Sequence, residues 1–419
     1  MNKKEVKKAP TLRFKGFTND WEQRKLGKIV KIIGGGTPST SNSNYWNGDI
    51  NWYSPTEIGK KNFIFTSKKK ITKLGLQHSS AKILPGKQTI LFTSRAGIGD
   101  MAIMQTDGCT NQGFQSWVIE NNSVNIYFLY SLGKNIKKEA IRKASGSTFL
   151  EISNKEVKKI PLFIPSKHEQ DKLGKLLLVL DNLLSLQQRK LKLLKLLKQG
   201  MLQNLFTSKD TPILRFYGFY DILKQYKLSH LFYVNGRIGF RGYTRKDIIS
   251  KNEGGIWAIS PINIQDNCLV SLHNNTYITK AKYEESPEIQ LRPSYSLLVK
   301  TGSTLGKSAY INNLYEPATI NPQIAVLKPI NKKISKYLGY ILTTDNFLQQ
   351  ITALKIGGAI PTLTERDLKE VKLYIVPDTK EANKISNFLN KLDVIIGFQQ
   401  KNINNLHQVK KFLFQNMFI

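Results

Sequence analysis

The sequence predicts an α/β chain in which one globular domain is written twice, each copy trailed by a long helix, with the two helices paired antiparallel. Three observations carry this expectation. A long-range internal repeat is present, glycine turns fall between β-branched runs at matching places in both copies, and each copy ends in a 3.5-residue apolar period lasting about four heptads.

The repeat opens each copy. TLRFKGF at residues 11–17 returns as ILRFYGF at 213–219, and Gln23, Lys25 and Leu26 return at the same offset of 202 as Gln225, Lys227 and Leu228. Next, TILFTSRAGIGDMAI (89–103) aligns with SLLVKTGSTLGKSAY (296–310), offset by 207. Both stretches predict strand, tight turn, strand, because Gly97, Gly99, Gly302 and Gly306 supply the positive φ that such turns need. A third match, residues 144–165 with 355–377, ends in a strand stopped by Pro165 and Pro377.

A helix then follows in each copy. Its seam is Leu177, Leu180, Leu184, Gln187, Leu191, Leu194, Lys198, Met201 and Leu205 in the first, and Leu389, Leu392, Ile396, Gln399, Ile403, Leu406, Lys410, Leu413 and Met417 in the second, offset by 212. Polar seam residues cost stability and fix register and partner, and the simplest partner of each helix is the other. The predicted boundaries are a first domain at 11–165, its helix at 166–206, a linker and start of the second copy at 207–222, a second domain at 223–377 and its helix at 378–418. About 33 helical residues span roughly 50 Å, or about 15 base pairs of duplex.

The charge names the class of partner. Among 419 residues, 63 Lys and Arg oppose 30 Asp and Glu, a net charge of +33 that calls for a polyanion or a neutralising subunit. Related but diverged basic domains at the ends of a spacer predict a bipartite, asymmetric duplex target. Candidate DNA contacts lie where the copies differ most. They are Thr37, Ser39, Asn44, Tyr45, Lys60 and Lys61 in the first copy, and Arg237, Arg241, Tyr243, Arg245 and Lys246 in the second. Arg95 and Lys307, on the two glycine turns, complete the set. Arg and Asn can read guanine and adenine edges in bidentate fashion, while Lys, Ser and Thr hold phosphates. Trp46 and Trp52 read better as core or loop anchors than as stacking platforms.

Enzyme and metal motifs fail on inspection. GSTLGKS (302–308) has three residues between its glycines where a phosphate loop needs four, and Asn321-Pro322-Gln323-Ile324 lacks the second proline and the aromatic of an amino-methyltransferase signature. Cys109 and Cys268 stand alone, and His78, His168, His230, His273 and His407 have no ligand-like spacing, so no metal is expected. The charged start precedes no apolar run, and Asp181 and Asn182 break the longest apolar stretch; a cytoplasmic protein without a membrane span is expected.

Taken together, the L-R-F-x-G-F openings, the G-G-T-P-S loop (35–39), the R-I-G-F-R-G-Y-T run (237–244), the paired glycine turns and the two heptad helices resemble the specificity subunit of type I restriction-modification systems, over about residues 11–418. The resemblance implies two target-recognition domains with irregular mixed β-sheets, related by a pseudo-two-fold and separated by an antiparallel pair of coiled-coil helices. It implies a non-catalytic DNA reader with no cofactor of its own. Two methyltransferase subunits would dock along the helices and methylate adenine at N6 with S-adenosylmethionine, and restriction subunits would supply ATP- and Mg-dependent translocation and cleavage. The competing expectation is a free-standing architectural protein that bridges DNA without enzyme partners.

Overall fold

The computed structural model describes residues 9–95, 97–120, 122–146, 150–265, 267–272, 274–354 and 361–419; His273 and parts of the third repeat match, 147–149 and 355–360, lie outside them. The chain forms two compact units, Met1–Gln188 with Lys401–Ile419, and Arg189–Gln400. Each unit therefore takes half of each long helix, α1 (Lys167–Leu205) and α2 (Thr379–Asn416).

In the first unit, a five-stranded sheet runs in the order Lys31–Gly34, Gln115–Val118, Thr89–Phe92, Met101–Met104, Phe63–Ile64. A smaller mixed sheet centres on Trp46–Tyr53, antiparallel to Lys69–Ile71 and parallel to Gly108–Thr110, with a bulge between Trp46 and Ile50. The second unit has two four-stranded sheets, and its smaller-copy equivalent is again mixed: Ile256–Ile259 runs parallel to Ala318–Ile320 and antiparallel to Thr276–Ile278. The glycine turns form as expected. Thr89–Phe92 pairs with Met101–Met104 and Ser296–Val299 with Ser308–Tyr310, and Gly97, Gly99, Gly302 and Gly306 all have φ between 71° and 100°.

The opening motif proves to be a clamp on the start of each long helix. Arg13 donates from Nε and a terminal nitrogen to both carboxylate oxygens of Glu169 at 2.9 and 2.7 Å, and Arg215 does the same to Glu381 at 2.8 Å twice. Both glutamates are almost fully buried, 1% exposed. A forked guanidinium on a carboxylate is the geometry that satisfies such a buried charge. The backbone repeats as well: the Leu12 amide donates to the Asn416 carbonyl at 2.8 Å, and the Leu214 amide to the Asn204 carbonyl at 2.9 Å. A two-stranded ribbon follows in each copy, Glu22–Lys25 with Pro161–Ile164 and Lys224–Lys227 with Lys372–Ile375.

Within each unit the helix halves run antiparallel. In the first, Leu173 and Leu177 share a core with Met417 and Leu413; in the second, Met201 and Leu205 share one with Leu389, Leu392 and Phe388, while Lys198 meets Asp393. The seam follows the sequence period: Leu177, Leu180, Leu184, Leu389, Leu392 and Ile403 are buried, and Leu191, Leu194, Ile396 and Leu406 are half-buried. The seam lysines have partners that the period does not reveal. Lys198 Nζ lies 2.5 Å from Asp393, which also accepts the Tyr340 hydroxyl at 2.7 Å. Lys410 pairs with Asp181, which accepts the Tyr127 hydroxyl at 2.6 Å and the Asn62 amide at 3.0 Å. Burial first, and the aspartate next to it, push both phenols well up, so each remains a proton donor.

Removing Glu381 leaves the Arg215 guanidinium desolvated and unpaired. Glu381→Ala should cost about 3 kcal/mol, read as a lower urea midpoint, while Lys227→Ala, in a surface pair with Glu370, should cost under about 1 kcal/mol.

Candidate nucleic-acid interface

The first unit offers a loop held at both ends by tryptophans. The Trp52 indole donates to the Gly36 carbonyl at 2.9 Å and the Trp46 indole to the Ser39 carbonyl at 3.0 Å, with the two rings edge to face at 5.1 Å. A side chain at Gly35 or Gly36 would come within 2.0 Å of the Asn111 carbonyl or 2.3 Å of Ser80 Oγ, which accounts for the glycines. Thr37, Ser39 and Asn44 are exposed on this loop. Thr37 is hydrogen-bonded to Gln112, Ser39 to Ser41 at 2.7 Å, and the Asn44 carbonyl accepts from Thr72 at 2.8 Å. Tyr45 is half-buried and stacks on His78, with ring centroids 5.4 Å apart.

Lys60 and Lys61 are exposed and follow Gly59, which packs on Asp100 of the glycine turn. On that turn Arg95 is half exposed, and its Nε lies 2.9 Å from Glu151. Sequence reasoning missed a further group, Lys68, Lys69, Lys70 and Lys73, all exposed around the strand Lys69–Ile71; Lys69 lies over the Trp46 ring at 5.6 Å. Three consecutive lysines and a fourth three residues on were the available signal. Among the described residues, Lys60, Lys61, Lys68, Lys70 and Lys73 have no ion-pair partner.

The second unit corrects one expectation. Arg237 is only 5% exposed, and its guanidinium donates to the Ile320 carbonyl at 3.2 Å, Thr319 Oγ1 at 3.0 Å and the Arg241 carbonyl at 3.3 Å, over the Tyr243 ring at 5.4 Å. Burial lowers its pKa. Arg237 therefore anchors this segment from inside. Arg241 donates to the Glu285 carbonyl at 3.2 Å and sits 3.6 Å from Glu288; the Tyr243 hydroxyl accepts from Asn321 at 2.9 Å. That last bond gives the rejected Asn-Pro motif a structural role.

Arg245 and Lys246 remain exposed, on a turn whose capping box closes Thr244 against Asp247. Lys307 is exposed in a different cavity, beside Ile262, Gln265 and Thr343. The structure thus joins Arg237, Arg241 and Tyr243 into one cluster with Arg245 and Lys246 on its rim, and sets Lys307 apart.

Both helices also carry an exposed apolar stripe off the seam, which sequence reasoning did not single out. Leu183, Leu186 and Leu197 are 38–63% exposed, and at the same offset of 212 Ile395, Phe398 and Val409 are 46–65% exposed. Among the described residues, no group of three or more metal-ligating side chains occurs and no helix is long and apolar enough to cross a membrane. Cys109 is buried, which pushes its thiol up to about 12.

The family model for the type I restriction modification DNA specificity domain matches residues 18–196 and 241–408. The chain belongs to this family. It is 33% identical over 190 residues to the MjaIX specificity subunit of Methanocaldococcus jannaschii, covering 45% of this chain and 44% of the relative. It is 30% identical over 181 residues to the EcoR124I/EcoR124II specificity subunit of Escherichia coli, covering 41% and 43%. These matches span under half the length of each relative. The fold is shared over 98% of this chain and 99% of the other with the S subunit of a type I restriction-modification system from M. genitalium, with a TM-score of 0.63 at 14% identity.

Arg237→Ala should destabilise the second unit by about 2 kcal/mol, read in the urea midpoint, because three inward hydrogen bonds are lost. Arg245→Ala should leave stability within about 0.5 kcal/mol.

Proposed function

We propose that this chain is the DNA sequence-specificity subunit of a type I restriction-modification complex. It recognises an asymmetric, bipartite duplex target and directs adenine-N6 methylation and restriction by partner subunits. The observation that carries this reading is a frame that repeats, with the Arg–Glu clamp and seam aspartate in both copies, around loops that do not repeat. The chain performs no chemistry itself in this reading. S-adenosylmethionine, ATP and Mg belong to the methyltransferase and restriction subunits.

In the first unit, Thr37, Ser39, Asn44 and Tyr45 meet base edges or the sugar-phosphate chain, while Lys60, Lys61, Lys68, Lys70 and Lys73 hold phosphates. In the second, Arg241, Arg245, Lys246 and Lys307 do so, with Tyr243 steadied by Asn321. The apolar stripe is the docking face for two methyltransferase subunits. Its recurrence at one offset on both helices suits two identical partners and counts against a free-standing bridge.

The test is an exchange of residues 237–246 for those of a relative, followed by methylation-aware sequencing of DNA modified in cells that carry the partner subunits. The expected outcome is a changed sequence in one half of the modified site and an unchanged other half. A change in both halves, or a contiguous single-part site, would overturn the proposal.

A further inference from the structure

We propose that the stretch of α1 beginning at Arg189, in the second unit, is a further DNA contact, a cationic face that holds duplex phosphates without reading sequence. This rests on the DNA-recognition reading above and adds a site to it. Arg189, Lys192 and Lys195 fall within seven residues, on one face of the helix, and all are exposed. None has an ion-pair partner among the described residues, whereas Lys167 and Lys198 on the same helix are paired with Asp171 and Asp393.

Helix geometry sets these cations, with exposed Leu196 among them, apart from the seam and from the stripe, Leu193 lying at the boundary with the stripe. At about 100° per residue, Arg189, Lys192 and Lys195 lie roughly 120° from the seam on one side, while the apolar stripe of Leu183, Leu186 and Leu197 lies roughly 100° from it on the other. A protein docked on the stripe leaves the cations open to a polyanion. Continuing along the cationic face, Gln199 and Gln203 line a cavity of the second unit with Thr343, Thr344 and Asp345, and Gln203 donates to Asp345 at 2.9 Å. The charged face is therefore continuous with the side of the helix that carries the recognition domain of that unit.

The fold itself does not require these charges. The residues at offset 212 on α2 are Lys401, Asn404 and His407, so one cation stands where this face of α1 has three. Like charges three residues apart on a helix repel by a few tenths of a kcal/mol, a cost that a row of phosphates reverses. Phosphodiesters match the face because Lys and Arg on a straight helix meet regularly spaced charges without needing base edges.

The experiment measures binding of the full-length chain to a fluorescein-labelled 40-base-pair mixed-sequence duplex across a salt series. Arg189→Gln, Lys192→Gln and Lys195→Gln are combined in one variant, and each is also made singly. The triple variant should make the log–log salt slope shallower by about 2 to 3, each single variant by about 0.9, with helicity by circular dichroism unchanged. If the wild type binds and Lys60→Gln/Lys61→Gln weakens binding while the helix variants leave the slope unchanged, this inference is overturned and the two-reader assignment stands. If the wild type binds no duplex at any salt, both fall.

Discussion

A carboxylate set into the seam of each helix pair is the constraint on which the architecture depends. Asp181 and Asp393 each accept a tyrosine hydroxyl from their own domain and a lysine ammonium from the opposing helix. The lysines keep side-chain exposures of 16% and 29%, so neither charge is well served by solvent alone. A slip of either helix by one heptad would bury a lysine against leucine and strand an aspartate, a far larger loss than the apolar contacts could recover. Because Tyr127 and Tyr340 belong to the globular domains, the same group that fixes helix register also fixes each domain against the helix pair.

The Arg–Glu clamp complements this at the helix starts. Glu169 and Glu381 are closed off by Arg13 and Arg215 of the opening motifs, and the carbonyls of Asn416 and Asn204 are taken by the amides two residues into those same motifs. The Arg–Glu clamp and the seam aspartate with its tyrosine and lysine each occur once per copy. The loops from Gly35 to Tyr45 and around Arg245 carry none of this burden, so they can change without disturbing the frame. These loops can thus diverge in one copy while the other copy and the frame stay as they are.

The frame was largely legible from sequence. Repeats at offsets of 202, 207 and 212 marked the opening motif, the glycine turns and the seam, because elements under packing and φ constraints keep recognisable residues. What stayed hidden were partnerships between distant segments. Asp181 reads in the sequence as an interruption of an apolar stretch, and only its contacts with Lys410 and Tyr127 reveal a register lock. Arg237 reads as a base-reading arginine because its neighbours are polar and basic, yet the strand Ala318–Ile320 supplies acceptors that turn it inward. Trp46 and Trp52, expected as core or loop anchors, are both: Trp52 is buried in a small core against which Trp46 packs, and both indoles meet backbone carbonyls of the glycine-rich loop. The apolar stripe was obscured by the seam itself, since leucines on two faces of one helix blur into a single run.

The two units are unequal in how they present charge. Around Lys69–Ile71 the first unit shows lysines without acidic partners, whereas at the equivalent place in the second, Lys280 and Lys282 pair with Glu284 and Glu285. The most direct test of the register lock is a double-mutant cycle of Asp393→Ala and Lys198→Ala, with stability read by urea unfolding of the full-length chain. A lock predicts a coupling energy of at least about 1 kcal/mol, the double variant losing scarcely more than either single one. Strict additivity of the two losses would contradict it.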